Sequence, residues 1–222
     1  MENCESLPYA YLLGLYLSDG YINDMPRTAK LRVSLGTEHA DVIHRCKAAM
    51  ASVFPCNKIN EAVKGTSKAV DVYVYSKRLR ELFPQHGSGK KHDRLIELAD
   101  WQEECMMQHS KALIAGLFDG DGSEYIQTAK SGQGYRYFVF CNKSKDICDI
   151  FKKYCAINSI TTVDHTRRDG VRYMYIRKKA EADKFSLLLD ATYGSMAELV
   201  DARNLKFRVE RRAGSSPAAP TT

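Results

Sequence analysis

Two carboxylates stand at matching places in this chain, Asp19 and Asp121, 102 residues apart. Each is followed by a glycine, Gly20 or Gly122, and then by a β-prone pair, Tyr21-Ile22 or Tyr125-Ile126. Each also closes an apolar run with a glycine inside it. The first run is Leu12-Leu13-Gly14-Leu15-Tyr16-Leu17-Ser18, the second Ile114-Ala115-Gly116-Leu117-Phe118-Asp119-Gly120. A single Asp-Gly often does no more than end a helix and begin a turn. Two in equivalent positions of a repeat describe related halves, each bringing one acid to the end of an apolar helix. Two acids gathered at helix C-termini, the negative end of the dipole, repel and raise each other's pKa. The arrangement is costly unless a cation occupies the gap. Hard oxygen donors suit Mg²⁺, with water and a phosphate oxygen completing the shell. A cation so held can activate water and stabilise the leaving oxygen in phosphodiester cleavage.

The glycines inside the runs indicate how the helices are positioned. Each costs about 1 kcal/mol in a helix interior relative to alanine. They make sense where two helices approach with backbone contact. If the helices pack through Gly14 and Gly116, their C-terminal ends lie side by side and the two aspartates meet near a pseudo-dyad. Gly20 and Gly122 are expected to end the helices as left-handed caps. Around the motifs, each half reads helix, strand, strand, helix, strand, strand, helix. Leu31 to Leu35 alternates with period two, so Leu31, Val33 and Leu35 face the core and Arg32 and Ser34 face out. A helix spans about 40–52 after Thr37-Glu38-His39, and a second strand pair covers 58–63 and 70–75. The second half repeats the order, with strands near 123–127 and 135–141 and a Ser144-capped helix to 156. Strands 161–166 and 171–176 are joined by Arg167-Arg168-Asp169-Gly170, an Asp-Gly hairpin signal, and a last helix covers 180–189. Residues 1–83 form the first half, 84–110 a linker and 111–190 the second half.

The chain has 222 residues, 44% hydrophobic and 27% charged, the composition of an ordinary globular protein. No apolar stretch approaches the roughly 18 residues of a membrane span, so no membrane partner is expected. The first residues carry acids and no basic stretch, which argues against a secretory leader. There are seven cysteines, with no Cys-x-x-Cys pair. Cys141, Cys148 and Cys155 recur every seventh residue and read as a buried stripe of reduced thiols rather than a zinc site. His86, His92 and His109 lie near the linker without metal-ligand spacing. Net charge is +6, compatible with an acidic polymer as partner.

The two runs resemble the paired signature motifs of LAGLIDADG homing endonucleases in their single-chain, two-motif form, over about residues 7–190. The resemblance implies an α+β fold of two pseudo-symmetric αββαββα halves. Their antiparallel sheets would form a saddle over double-stranded DNA, with the motif helices packed at the dyad. It implies a monomer that cuts both DNA strands, with Mg²⁺ as cofactor in a metal site of Asp19, Asp121, Gly20 and Gly122. The first motif has Leu17 where the second has Asp119, a position other than the metal-binding one. A basic residue is implied in each active site, and Lys90, Lys91 and Lys178 are candidates by position. The expected DNA contacts are Arg32, Lys58, Lys64, Arg136, Arg172 and Arg177 from strands, and Arg27, Lys30, Lys68, Arg167 and Arg168 from loops. A sheet in the major groove reads base edges with alternate side chains, while other contacts go to phosphates. A cytoplasmic, nucleoid-associated enzyme carried by a mobile element or intron follows from this reading. A non-catalytic DNA-binding regulator and a maturase that binds intron RNA are the alternatives on the same fold.

From Thr192 onward the logic of the repeat stops. Gly214-Ser-Ser-Pro217 is a translation of GGTTCGAGTCC, the T-arm sequence of a tRNA gene. Ala197-Glu-Leu-Val-Asp-Ala202 is a translation of the D-arm region of a leucine-type tRNA gene. Met196 to Thr222 spans 27 codons, about one such gene in length. Residues 191–222 are therefore expected to be a disordered tail read through a tRNA gene, outside the fold.

Overall fold

The computed structural model describes residues 6–63, 65, 68–128 and 134–213, with side chains described as far as 199. Helix α1 (Leu7–Asp19) starts at Ser6, whose Oγ accepts from Tyr9 N at 3.4 Å, with Pro8 in the first turn. Strands β1 (Gly20–Asp24) and β2 (Ala29–Gly36) follow, then α2 (Ala40–Val53), β3 (Ile59–Val63), β4 (Ala69–Ser76) and the single turn α3 (Leu79–Leu82). The second half begins with α4 (Asp100–Asp121) and continues through β5 (Gly122–Thr128), β6 (Gly134–Asn142), α5 (Lys145–Ile157), β7 (Val163–Thr166), β8 (Arg172–Ile176) and α6 (Lys179–Ala213). Each half holds a four-stranded antiparallel sheet, in orders β1-β2-β4-β3 and β5-β6-β8-β7. The two registers match, since Gly20 pairs with Val33 as Gly122 pairs with Phe140.

Hydrophobic burial arranges these layers. Helix α1 is buried along its length from Pro8 to Leu17, because α4 covers one side, α2 another and its own sheet a third. Strand β2 alternates strictly, with Ala29, Leu31, Val33 and Leu35 on the core face, as its sequence pattern predicts. Cys148 and Cys155 are buried in the core on α5, while Cys141 is partly exposed. The hairpin at Asp169 turns on Gly170, at φ +83°, with Gly170 N donating to Arg167 O.

Three expectations change. The segment 84–110 is a linker only in part, because α4 already starts at Asp100. The boundary at 110 coincides with a kink, where His109 leaves helical geometry at φ −117° and ψ 25°. Gly20 and Gly122 are not left-handed caps. Both are extended, at φ −85° and −96°, because each helix passes straight into a strand. Glycine is needed there for room, since a Cβ on Gly20 would lie 2.5 Å from Tyr16 Cα and one on Gly122 would run into Phe118. Finally, the second half does not end at 190. Helix α6 runs on to Ala213, with Thr192 and Met196 buried and Tyr193 packed against the core. Helix α6 packs on α4 and α2, with Phe185 against Phe118 and Tyr193 under Arg45. Residues 214–222 lie outside the described part of the chain.

Candidate functional site

Helices α1 and α4 meet through their glycines. A Cβ on Gly14 would lie 2.5 Å from Leu113 O, and one on Gly116 would run into Tyr11 O. Ser18 Oγ crosses the interface to Leu117 O at 3.1 Å. Asp19 and Asp121 are the last residues of these helices, as the motif repeat predicts. Asp19 keeps access to solvent, yet the protein around its carboxyl pushes its pKa up to about 7, and the Asp121 charge adds to the effect. Asp121 is also raised, chiefly by burial, although Asn142 Nδ2 donates to its Oδ2 at 2.6 Å and favours the ionised form. Two oxygen donors that resist ionisation together are what a hard divalent cation would relieve. Gly20 and Gly122 follow directly, and their amides are spent on Tyr16 O and Phe118 O.

Lys91 is held beside the pair. Its Nζ donates to Tyr16 O, to Leu17 O at 3.0 Å and to Ser18 O at 3.2 Å, capping the negative end of α1. Burial pushes the ammonium down to about 8, against the pull of Asp121 and Asp19. Buried amides anchor the segment that carries it: Gln85 Nε2 donates to Gln102 Oε1 at 2.5 Å, and Gln102 Nε2 to Tyr9 OH at 2.7 Å. Arg94 Nη1 adds a bond to Gln85 O at 2.5 Å. The resulting cleft of about 550 Å³ has Asp121 and Asn142 on one wall and Lys90, Lys91, Arg94 and Lys143 around it. Asp19 opens instead into a second cleft, shared with Asp41, Asp119, Glu124 and Asp190 as well as Arg45 and Arg136. The two acids therefore line different clefts, while the Lys91 charge acts on both. Lys178, the other expected lysine, is exposed at the start of α6, where its carbonyl accepts from Ala182 N. No hydrogen bond or ion pair joins it to either aspartate among the described residues.

On the face of each sheet turned away from the helices, the polar phase of the strands is mostly half-buried to exposed, with Asp71 buried among it. Lys30 lies 3.8 Å above the Tyr73 ring, and Arg32 Nη1 approaches Asp71 Oδ2 at 3.7 Å. On the second sheet Arg177 lies 3.8 Å over Tyr175, and Arg167 donates to Tyr173 OH at 2.6 Å. Arg27, Lys68 and Arg168 are exposed at or near hairpin turns and Lys58 is exposed in the α2–β3 connection, while Lys64 lies outside the described residues. Two expected contacts fall on the other face. Arg172 is in phase with the buried Met174 and Ile176, so it turns to α5 and pairs with Asp149 at 2.8 Å and Asp164 at 3.2 Å. Arg136 is in phase with Phe138 and reaches Ser186 of α6 at 2.8 Å and Glu124 at 2.8 Å. The sequence reading missed the aromatic half of this surface. Tyr73 with Tyr75, Tyr135 with Tyr137 and Tyr173 with Tyr175 each recur at strand period in the outward phase. Asn142, Lys143 and Arg94 were missed as well, because only the fold brings them to the acids.

No family model and no curated protein sequence matches the chain. Solved structures do. The homing endonuclease I-DmoI in complex with DNA and Mn is 20% identical with a TM-score of 0.59, over 83% of this chain and 97% of that one. The homing endonuclease I-WcaI bound to its DNA recognition sequence is 14% identical with a TM-score of 0.55, over 84% and 81%. The LAGLIDADG meganuclease I-AabMI bound to uncleaved DNA is 11% identical with a TM-score of 0.54, over 90% and 91%. At this similarity it is the fold that is shared, and the chain has the fold of the LAGLIDADG homing endonucleases.

Proposed function

We propose that the chain is a site-specific endonuclease that cuts both strands of double-stranded DNA. The observation that carries this reading is the pair Asp19 and Asp121, delivered by two helices locked through Gly14 and Gly116, the pKa of both raised by burial and that of Asp19 further by the charge of Asp121. Such a carboxylate pair suits Mg²⁺, which when bound would supply charge for the scissile phosphate and lower the pKa of a bound water. Asp19 and Asp121 would hold the cation, with Asn142 orienting Asp121. Lys91 places a cation beside the acids, where it can meet the phosphate being cut. Lys90, Arg94 and Lys143 add positive charge on the same cleft. Lys30, Arg32, Arg167 and Arg177 face outward with the tyrosines and bind phosphates and base edges, while Arg27, Lys58, Lys64, Lys68 and Arg168 extend the footprint. Both acids come from one chain, so a monomer suffices. The structures that share the fold include complexes with DNA and Mn and with DNA and Ca, which supports a DNA substrate and a divalent ion.

The target we propose is the uninterrupted form of the chain's own locus, at a leucine-type tRNA gene that the codons from Met196 onward would run through. A supercoiled plasmid carrying that sequence tests the reading. Linear product in Mg²⁺, with a shifted band and no cutting in Ca²⁺, is expected. Asp19→Asn and Asp121→Asn should each abolish double-strand cutting while binding survives. A shifted band without cutting in any divalent metal would leave a DNA-binding regulator, and binding confined to intron RNA would leave a maturase. DNA lacking a cloverleaf-forming sequence under codons 196–222 would end the tRNA-gene target.

A further inference from the structure

Asp119 stands two residues before Asp121 and has no counterpart in the first motif, where Leu17 is fully buried. Its carboxylate gathers hydrogen bonds from three other helices. Oδ2 accepts from Tyr11 OH of α1 at 2.5 Å and from Arg45 Nε and Nη2 of α2 at 3.2 and 3.0 Å. Oδ1 accepts from Tyr193 OH of α6 at 2.6 Å. Arg45 is held in turn by Asp41 at 3.0 Å and by the Tyr193 ring, whose centroid lies 3.9 Å from the guanidinium carbon. The Asp119 side chain is 7% exposed and that of Arg45 12%. Helices α1 and α2 belong to the first half, α4 and α6 to the second, so the cluster crosses the boundary that Asp19 and Asp121 share. The next residue, Gly120, packs on Ser18, and a Cβ there would lie 3.3 Å from Asp19 Oδ2. The last turn of α4 is thus gripped by the first half immediately before Asp121.

We propose that Arg45 is a positioning residue whose bonds to Asp119 fix the last turn of α4 on the first half and so set the separation of the two metal-binding acids. This rests on the endonuclease reading. A buried ion pair is seldom the most stabilising filling for its space, and the first motif manages with leucine. Two guanidinium nitrogens forked onto one carboxylate oxygen, Oδ2, by contrast fix direction as well as distance. Two acids that repel each other need such a restraint before a cation arrives.

The double variant Arg45→Met/Asp119→Leu copies the apolar solution of the first motif and tests the proposal. With the parent chain shown to cleave, kcat should fall by about 10²-fold, the cost of misplacing reacting groups by about 1 Å. KM and DNA binding in Ca²⁺ should stay unchanged. In the protein without metal, the amides from Phe118 to Gly122 should lose hydrogen-exchange protection by at least about tenfold, with the rest of the fold protected as before. Arg45→Lys keeps the charge and loses the fork, so it should fall between, and it carries the test if the double variant does not fold. Unchanged kcat and unchanged local protection would overturn the proposal. So would a loss of protection spread evenly over the whole chain, which would mark Arg45 as a stabilising residue only. Failure of the parent to cleave any DNA is read separately, as failure of the endonuclease reading.

Discussion

Asn142 donates its side-chain amide to Asp121 Oδ2 at 2.6 Å, and the matching place in the first half holds Leu35. The registers establish the match: Val33 faces Gly20 and Phe140 faces Gly122, and Leu35 and Asn142 each lie two residues further on. Asn142 therefore supports the ionised form of Asp121, a support that Leu35 cannot give Asp19. We expect Asn142→Leu to lower divalent-metal affinity at neutral pH by about tenfold or more, the usual cost of losing a ligand's hydrogen-bond partner. Calorimetric titration with Mg²⁺ measures it, and an affinity equal to the parent's would show that Asn142 merely fills space.

The pH dependence of the metal-free protein follows from two opposed shifts. Asp19 rises from 3.8 to about 7, so the folded state holds more protons than the unfolded chain between those values. Its contribution is full below about 4 and is lost as pH climbs to about 7. Lys91 falls from 10.5 to about 8, so the folded state holds fewer protons there, and stability recovers as pH rises from about 8 to 10.5. The melting temperature should dip between these windows. Mg²⁺ should remove the acid-side limb and release protons as it binds, because its ligands must be ionised. Asp19→Asn should shrink that limb without metal, leaving the part that the raised Asp121 contributes. A limb of equal size in Asp19→Asn would assign the effect elsewhere.

What was legible in the sequence was what local pattern encodes. The paired runs around Gly14 and Gly116 gave the helix contact, and the alternation from Leu31 to Leu35 gave the outward face of β2. Asp169-Gly170 gave a hairpin. The phase of Arg172 was also written in the chain, since Met174 and Ile176 share it, but reading the arginines as one set passed over it. Tyr193 and Met196 were hidden for a different reason. Tyr193 finds its partner in Asp119, 74 residues away, and Met196 in the common core, and no local period records such contacts. The basic cleft was hidden likewise, because Arg94 and Lys143 reach the acids only through packing.

Arg172 and Arg177 sit five residues apart on opposite faces of one strand's line, and their replacement should separate stability from binding. Arg177→Met removes an outward cation stacked on Tyr175. It should weaken DNA binding and reduce the salt slope by about one, with the melting temperature unchanged. Arg172→Met leaves Asp149 and Asp164 without their shared partner. It should lower the melting temperature and leave the salt slope as it was. Binding isotherms at several salt concentrations decide the matter. A reduced slope in Arg172→Met would place that guanidinium on the DNA after all.

The helix contact makes its own prediction, because two glycines in helices should respond in opposite directions to the same methyl group. At Gly116 a Cβ would run into Tyr11 O and come within 3.1 Å of Gly14 Cα. These are backbone atoms that cannot rotate away, so Gly116→Ala must push α1 and α4 apart. Overpacking of this kind costs about 1–3 kcal/mol or more, a fall of roughly 2–4 °C in melting temperature per kcal/mol for a chain of this size. The shift also separates Asp19 from Asp121, so Mg²⁺ affinity should drop further than DNA binding in Ca²⁺. At Gly194, inside α6, nothing lies within 4 Å of the same methyl group. Gly194→Ala should therefore raise stability by up to about 1 kcal/mol through helix propensity alone. Thermal melts of the two variants check the pair, and equal stability would mean that the glycine contact does not set the distance between the helices.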